Sequence, residues 1–353
     1  MNTNNIQRTE FFDREKEKEE IIGILRTEPQ LINFIYGPIN SGKTTLISNL
    51  IENLPENYVV FYINLRQNPI STYKDFLEEL FDTDFEDGLV EKKIKKAVPD
   101  AIADLKTVFG IPIPPKLFEK IFSSEDPKSA FRYLLKIMGK VKEHNKIPVL
   151  IIDELQVIGD LKVDGNLIYK LFNFFVALTK ELHLCHVFAL SSDSLFIEKV
   201  YNEAILKERC QYLLVDEFDK ETTKKFLERS KISREEYSAA WNILGGKPGM
   251  LIAFINAGNR KKFVEETIMK RKGEIEELVF SLKDKNKEIF EKIIKIFENF
   301  RSVEFAKYKY ITEEIHLLVA HNIVFVDPLK KTIRMQSKSD LIAVREILKE
   351  IGE

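Results

Sequence analysis

Residues 37–44, Gly37-Pro38-Ile39-Asn40-Ser41-Gly42-Lys43-Thr44, fit the pattern G-x-x-x-x-G-K-[ST], and no feature of the chain constrains its fold more. The pattern works only between a buried strand and the start of a helix. Its glycines let the backbone turn so tightly that successive N–H groups point into one concavity, a cradle for phosphate. Lys43 would reach the β- and γ-phosphates, and the Thr44 hydroxyl would ligate Mg²⁺. The following helix would turn its positive N-terminal end toward the anion. The flanks meet the requirement. Leu31–Tyr36 is a short apolar run that reads as a strand, and Thr45–Ile51 carries apolar residues at helical spacing.

Binding a nucleotide and hydrolysing it need different groups. Pro148–Gln156 supplies the second set: the apolar run Val149–Ile152 reads as a strand buried on both faces and ends in Asp153-Glu154. Open parallel sheets bind ligands at this end of their strands. Asp153 would hold the Mg²⁺ between the β- and γ-phosphates, and Glu154 would act as general base toward water. A further buried strand, His186–Leu190, leads into Ser191-Ser192-Asp193-Ser194. Ser191 or Ser192 would face the γ-phosphate or the water; the same serines also read as a helix cap. His183, Cys185 and His186 lie close together, but strand alternation sets Cys185 and His186 on opposite faces and no fourth ligand is near, so no metal is expected there.

The whole-chain numbers narrow the partners. The formal net charge is −2, which gives no general pull toward nucleic acid or membrane. Cys185 and Cys210 are the two cysteines and do not form C-x-x-C, so a reducing, cytoplasmic setting is expected. The polar start of the chain lacks an apolar signal core, and no apolar run approaches the ~20 residues of a membrane span.

With these residues in hand, the chain resembles the archaeal ATPase family within the STAND/AAA+ branch of P-loop NTPases. Phe11-Phe12-Asp13-Arg14-Glu15-Lys16-Glu17 is similar to the family's F-x-x-R-E-x-E opening, which packs beside adenine and would make Arg14 an anchor. Asp153-Glu154-x-Gln156 resembles the class with an additional strand between the phosphate-loop strand and the acidic strand; His186–Leu190 would be that strand. The family carries an arginine shortly before its fifth strand, and Arg209 is the match, as a γ-phosphate sensor or finger, although the usual preceding glycine is missing. Gly245-Gly246-Lys247-Pro248-Gly249 resembles the lid motif G-G-x-P, in which the proline approaches adenine. The resemblance thus implies ATP and Mg²⁺ as cofactors. Its nucleotide-binding residues run from Gly37 through Thr45, with Arg14, Ser192 and Pro248; Glu154, Lys43 and Arg209 would be catalytic, and Thr44 and Asp153 would hold the metal.

Apolar segments at 31–36, 58–65, 148–152, 186–190 and 211–215 alternate with helical patterns, as in an α/β fold with parallel strands. The resemblance implies a five-stranded P-loop core ordered 5-1-4-3-2. The expected division is a core over 1–218, a helical lid over 219–282 and a winged-helix-like domain over 283–353. An insertion at about 80–129 carries Glu91–Lys96 and the stiff Ile111-Pro112-Ile113-Pro114-Pro115, and reads either as a helical excursion or as a cover for a sheet edge. In the C-terminal part, Thr312–His321 occupies the place of a groove-reading helix but bears Glu313 and Glu314 and no Lys or Arg. From Ser281 onward 14 basic residues face 12 acidic ones, a weak footprint for DNA. The expectation is an ATP-hydrolysing molecular switch that reports its nucleotide state to a protein partner, with a nucleotide-dependent oligomer in view. An ATP-dependent DNA-binding protein is the alternative.

Overall fold

Six short segments, the central four apolar on both sides of the chain direction, form one parallel sheet. They are β1 (Ile32–Tyr36), β2 (Tyr58–Asn64), β3 (Thr107–Phe109), β4 (Ile147–Asp153), β5 (His186–Ser191) and β6 (Cys210–Leu214). The computed structural model describes residues 11–83, 106–124, 126–163 and 165–352. The sheet order is β3-β2-β4-β5-β1-β6, and every pairing is parallel. Alternate residues feed two cores. Phe34, Phe61 and Leu150 face one layer, while Ile35, Val60 and Val149 face the other with Ile21 and Leu46. Burial on both faces explains why the four central strands, β2, β4, β5 and β1, are continuous apolar runs and not alternating ones.

The expected order of five strands is present, with β5 as the additional strand between β4 and β1. The count changes: β3, from the insertion, pairs outside β2 and makes a sixth strand at that edge. The insertion is therefore not only a helical excursion. A helix at Pro115–Ser124 follows β3, and Phe81–Asp82 pairs with Ile111–Pro112 beside it. Glu91–Lys96 lies outside the described residues.

Helices α1 (Glu15–Leu25) and α2 (Lys43–Asn53) flank β1 in the chain. The α3 helix (Ser194–Asn202) starts at the end of β5, capped by Asp193 through the amides of Leu195 and Phe196. After β6 come α4 (Lys220–Arg229), α5 (Arg234–Leu244) and α6 (Pro248–Asn256), packed on their own core of Phe226, Leu227, Leu251 and Phe254. Next, α7 (Arg260–Lys285) runs unbroken past residue 282, and its second half sends Ile275 and Val279 into the C-terminal core. That core is completed by α8 (Lys287–Glu298), β7 (Phe305–Lys307), α9 (Glu313–Ala320), β8 (Val324–Asp327), β9 (Thr332–Met335) and α10 (Lys338–Gly352). The three strands form an antiparallel sheet in the order β8-β9-β7. Of the charge runs on α7, Arg271 is not simply solvated: its Nε donates to the buried Asp340 at 2.5 Å and ties α7 to α10.

The C-terminal sheet docks on the rim of the parallel sheet where the phosphate loop begins. Tyr36 Oη donates to Asp327 Oδ1 at 3.1 Å, and the Tyr36 and Phe325 rings stack. The Val326 amide donates to Ser194 Oγ at 3.1 Å. Arg334 pairs with Asp216, which follows β6.

At the opposite rim, His186 opens β5 and is buried, and burial pushes its imidazole down to about 4. An unfolded chain takes up this proton near pH 6.5, so between pH 6.5 and 4 it binds a proton that the native fold does not. Stability from this residue is complete above pH 6.5 and is lost as pH falls toward 4. Urea unfolding at pH 7 and pH 4.5 should show a loss larger by about 2 kcal/mol in the wild type than in His186→Gln. Equal losses would mean that His186 is not held neutral.

Candidate active site

The phosphate loop is the turn between β1 and α2, and its shape has specific causes. A Cβ on Gly37 would stand 2.1 Å from the Val215 carbonyl oxygen, so β6 can approach β1's exit only because that side chain is missing. Gly42 sits in the left-handed region at φ 92° and turns the chain into α2. Asn40 is also left-handed, at φ 61°. Lys43 is buried and donates to the Gly37 and Pro38 carbonyls at 3.0 and 2.9 Å, bracing the loop from within. Desolvation pushes its ammonium down to about 8, against the pull of Glu154 and Asp153.

The acidic pair reaches the same rim. Thr44 Oγ1 donates to Asp153 Oδ2 at 2.8 Å, and so does Tyr62 Oη from β2, also at 2.8 Å. Burial beside that carboxylate raises the Tyr62 phenol far above its usual range, so it stays a donor. Thr44 and Asp153 together offer a hydroxyl and a carboxylate oxygen at one point, a donor set suited to a hard cation such as Mg²⁺.

Glu154 stands at φ 60°, a left-handed conformation that costs a non-glycine residue about 1 kcal/mol. The bend swings its carboxylate off the strand line into a ring of donors. Arg66 Nη2 lies 2.8 Å from Oε2, which the Gln156 side-chain amide also approaches, and Ser192 Oγ lies 3.2 Å from Oε1. Ser191 Oγ in turn donates to Gln156 Oε1 at 2.8 Å. Ser191 and Ser192 thus hold the Glu154 loop, and the cap of α3 falls to Asp193 and not to a serine.

Beside the loop lies a slot of about 80 Å³ lined by Phe11, Phe12, Phe218, Phe226, Pro248 and Ile252, with Thr45 at its loop side. Arg14 closes one wall. Its Nη2 donates to the Ser41 and Asp216 carbonyls at 2.7 and 2.6 Å, and its guanidinium lies 4.7 Å from the centre of the Phe218 ring. An apolar slot with aromatic walls next to a phosphate cradle has the polarity for a purine base. Pro248 reaches it because Gly246 and Gly249 on either side carry no side chain. A Cβ on Gly246 would stand 1.8 Å from the Phe218 carbonyl oxygen, and one on Gly249 3.0 Å from Asn40 Cβ. The Gly249 amide points at the Asn40 carbonyl, 3.3 Å away, so the lid touches the phosphate loop directly.

Arg209 is a correction. The Ile32 amide bonds to its carbonyl, which fixes Arg209 at the entry of β6, beside the entry of β1. The phosphate loop lies past the exit of β1, ~16 Å away at ~3.3 Å per residue. Its guanidinium donates to the Ile205 carbonyl at 3.1 Å. Arg209 therefore has no place in this chain's own site. The cation that meets Glu154 is Arg66, just past β2, which sequence reasoning missed together with Tyr62 and the Phe218 and Phe226 walls. Only the position of Arg66 after an apolar strand end gave any signal.

A cavity of about 600 Å³ opens beside these groups, between Ile39, Arg66, Gln156 and Ser192 on the parallel-sheet side and Val324 and Gln336 on the C-terminal side. Among the described residues no helix is long and apolar enough to cross a membrane.

Residues 11–254 match the family described as an ATPase domain predominantly from Archaea, and residues 261–348 match the C-terminal domain of MJ1010-like uncharacterized ATP-binding proteins. The chain is 50% identical to the uncharacterized ATP-binding protein MJ1659 of Methanocaldococcus jannaschii over 97% of this chain and 98% of that one. It is 45% identical to the ATP-binding protein PYRAB09480 of Pyrococcus abyssi, covering 96% and 98% of the two chains. Among solved structures it is similar in fold to the Walker-type ATPase PABY2304 of Pyrococcus abyssi, with a TM-score of 0.64, 17% identity, and 96% and 97% of the two chains covered.

The stripped turn makes a sharp demand. Gly246→Ala should lower the unfolding free energy by at least about 2 kcal/mol, because the Phe218 backbone must move. Gly258→Ala, with open space around its Cβ, should stay within about 0.5 kcal/mol. Denaturant titration of both variants checks this, and equal stabilities would show that the close approach is not a constraint.

Proposed function

Because this chain belongs to the family of ATP-binding ATPase domains found predominantly in Archaea, we propose that it is a Mg²⁺-dependent ATPase working as a switch of the STAND/AAA+ type. In this reading its winged-helix-like C-terminal part passes the nucleotide state to a protein partner. Support comes above all from one convergence: Lys43, the Thr44–Asp153 pair and Glu154 meet at one rim, and the C-terminal sheet docks on that same rim through Tyr36 and Ser194.

The chemistry assigned to each residue follows from its place. The adenine enters the phenylalanine slot beside Arg14, Thr45 and Pro248, and the phosphates lie along Gly37–Thr44. Lys43 leaves its two carbonyls for the β- and γ-phosphate oxygens, which answer its charge better than neutral carbonyls do. Thr44 and Asp153 are the residues that would hold Mg²⁺, which supplies neutralisation of charge between the β- and γ-phosphates. Glu154 accepts a proton from a water whose oxygen bonds to the γ-phosphorus, as the bond from that phosphorus to the bridging oxygen breaks and leaves ADP and inorganic phosphate. In the geometry seen here Arg66 occupies one Glu154 oxygen, so it must yield for this step. With its side chain 62% exposed, it is free to do so. Slow turnover is expected for another reason: phosphoryl transfer of this kind can require an arginine supplied in trans.

DNA is the weaker partner. The helix in the groove-reading position, α9, bears no Lys or Arg, and it buries Glu314, Ile315, Leu318 and Val319. A protein partner therefore fits better than a duplex.

Lys43→Ala should weaken ATP binding by about 10- to 100-fold, the worth of a charge-assisted contact. Glu154→Gln should bind ATP as the wild type does and release phosphate at least about 100-fold more slowly. Calorimetric titration and a phosphate-release assay measure the two. Unchanged ATP affinity in the first variant would reject the phosphate site, and wild-type turnover in the second would remove Glu154 from its role.

A further inference from the structure

Three adjacent strands carry a line of contacts that ends on Asp153. Phe109 of β3 stands opposite Tyr62 of β2 in the parallel register, and Asn64, two residues on from Tyr62, stands opposite Asp153 of β4. Side chains two apart on a strand share a face, so Tyr62 is a diagonal neighbour of Asp153. Only a long side chain spans that diagonal. The phenol does, and its Oη donates to Asp153 Oδ2 at 2.8 Å. On the side of β3, the Tyr62 ring packs edge-to-face with Phe109, with 6.0 Å between centres and 80° between planes. The Gly110 amide also donates to the Tyr62 carbonyl at 3.0 Å, which ties the exit of β3 to the same residue.

The other carboxylate oxygen is treated differently. A carboxylate turns easily about its Cβ–Cγ bond, because the wells of that torsion are broad. Two donors from different elements stop it here. Thr44 Oγ1 on α2 and Tyr62 Oη on β2 both bond to Oδ2, at 2.8 Å each. Among the described residues Oδ1 accepts no hydrogen bond. On a residue that is 2% exposed, a carboxylate oxygen without a donor calls for a cation.

We infer that Tyr62 is a positioning residue for the metal carboxylate: it locks Asp153 through Oδ2 so that Oδ1 is presented to Mg²⁺ or to one of its waters, and Phe109 buttresses the ring that does so. This rests on the Mg²⁺ site proposed above. Two opposed effects decide the direction. A hydroxyl that donates to Oδ2 draws charge from the carboxylate, which taken alone weakens its hold on a cation. A fixed orientation strengthens that hold. Groups that orient metal ligands typically carry about 10- to 100-fold in metal affinity, so orientation wins. The edge strand that the insertion adds thereby has a part in the site.

The test uses the full chain and calorimetric titration with the β,γ-imido analogue of ATP, once with Mg²⁺ and once with EDTA. The ratio of the two affinities is the gain from the metal. In the wild type Mg²⁺ should tighten binding. Tyr62→Phe keeps the ring and loses the hydroxyl; it should cut the gain by about tenfold and leave the EDTA affinity at the wild-type value. Phe109→Ala removes a ring that is 71% exposed, so the fold tolerates it. It should cut the gain by about threefold, within the worth of an aromatic pair. Mn²⁺ in place of Mg²⁺, followed by its electron paramagnetic resonance, should be held most tightly by the wild type, less by Phe109→Ala and least by Tyr62→Phe. A gain in Tyr62→Phe that equals or exceeds the wild-type gain would overturn the positioning role. So would an EDTA affinity that falls in step with the Mg²⁺ affinity, since that marks general damage to the loop. A wild-type gain in Phe109→Ala would remove the buttress. A wild-type chain that binds the analogue equally with and without Mg²⁺ would overturn the metal site itself.

Discussion

The backbone contact between Gly37 and Val215 governs the rest of this molecule. With a Cβ at Gly37 only 2.1 Å from the Val215 carbonyl, the loop and β6 exclude any side chain between them. That closeness brings Asp216, Glu217 and Phe218 out of β6 directly beside the phosphate cradle, where Arg14 binds the Asp216 carbonyl and stacks on Phe218. The lid then inherits its position from Phe218, whose amide bonds to the Gly246 carbonyl at 2.9 Å. The C-terminal sheet inherits its position in turn, through Arg334 on Asp216 and Lys247 on Gln336. One glycine at the end of one strand thus sets the place of three packed units.

What was legible in the sequence follows the range of the physics behind it. The phosphate loop could be read because its glycines, lysine and threonine act through local backbone geometry, and the five strands could be read because burial on both faces leaves an unbroken apolar run. Asp153 and Glu154 followed from the rule that parallel strands present ligand groups at their C-terminal ends. The edge strand Thr107–Phe109 escaped because three residues with an exposed phenylalanine carry neither an apolar run nor a clean alternation. Arg66, Tyr62 and Lys247 escaped because their partners lie 88, 91 and 89 residues away in the chain, and nothing near them in sequence marks the meeting.

Arg209 shows how a motif-based reading can conflict with topology that was already in hand. An arginine immediately before a parallel strand stands at that strand's entry. The phosphate loop follows the exit of β1, its neighbour in the sheet. Across the five residues of β1, ~16 Å, the two requirements are incompatible within one chain. By the same reasoning an arginine just after a strand, as Arg66 is after β2, stands at the correct rim.

The rim itself is where the two halves of the function would meet. Phosphate cradle, acidic pair, lid turn and C-terminal sheet all converge on the C-terminal ends of the parallel strands, and they share residues. Tyr36 closes β1 and holds Asp327, while Ser194 starts α3 and holds Val326. Asp216 offers its carbonyl to Arg14 and its carboxylate to Arg334. Close-packed interfaces of this kind shift between discrete arrangements and do not deform continuously. Under the proposed switch, a nucleotide that repositions the Asn40 turn would act on Gly249 of the lid, whose carbonyl-bearing neighbour Gly246 is fixed on Phe218 beside the C-terminal contact. In the proposed switch, coupling between the two would need no long path through the core, because both lie at one edge of one sheet.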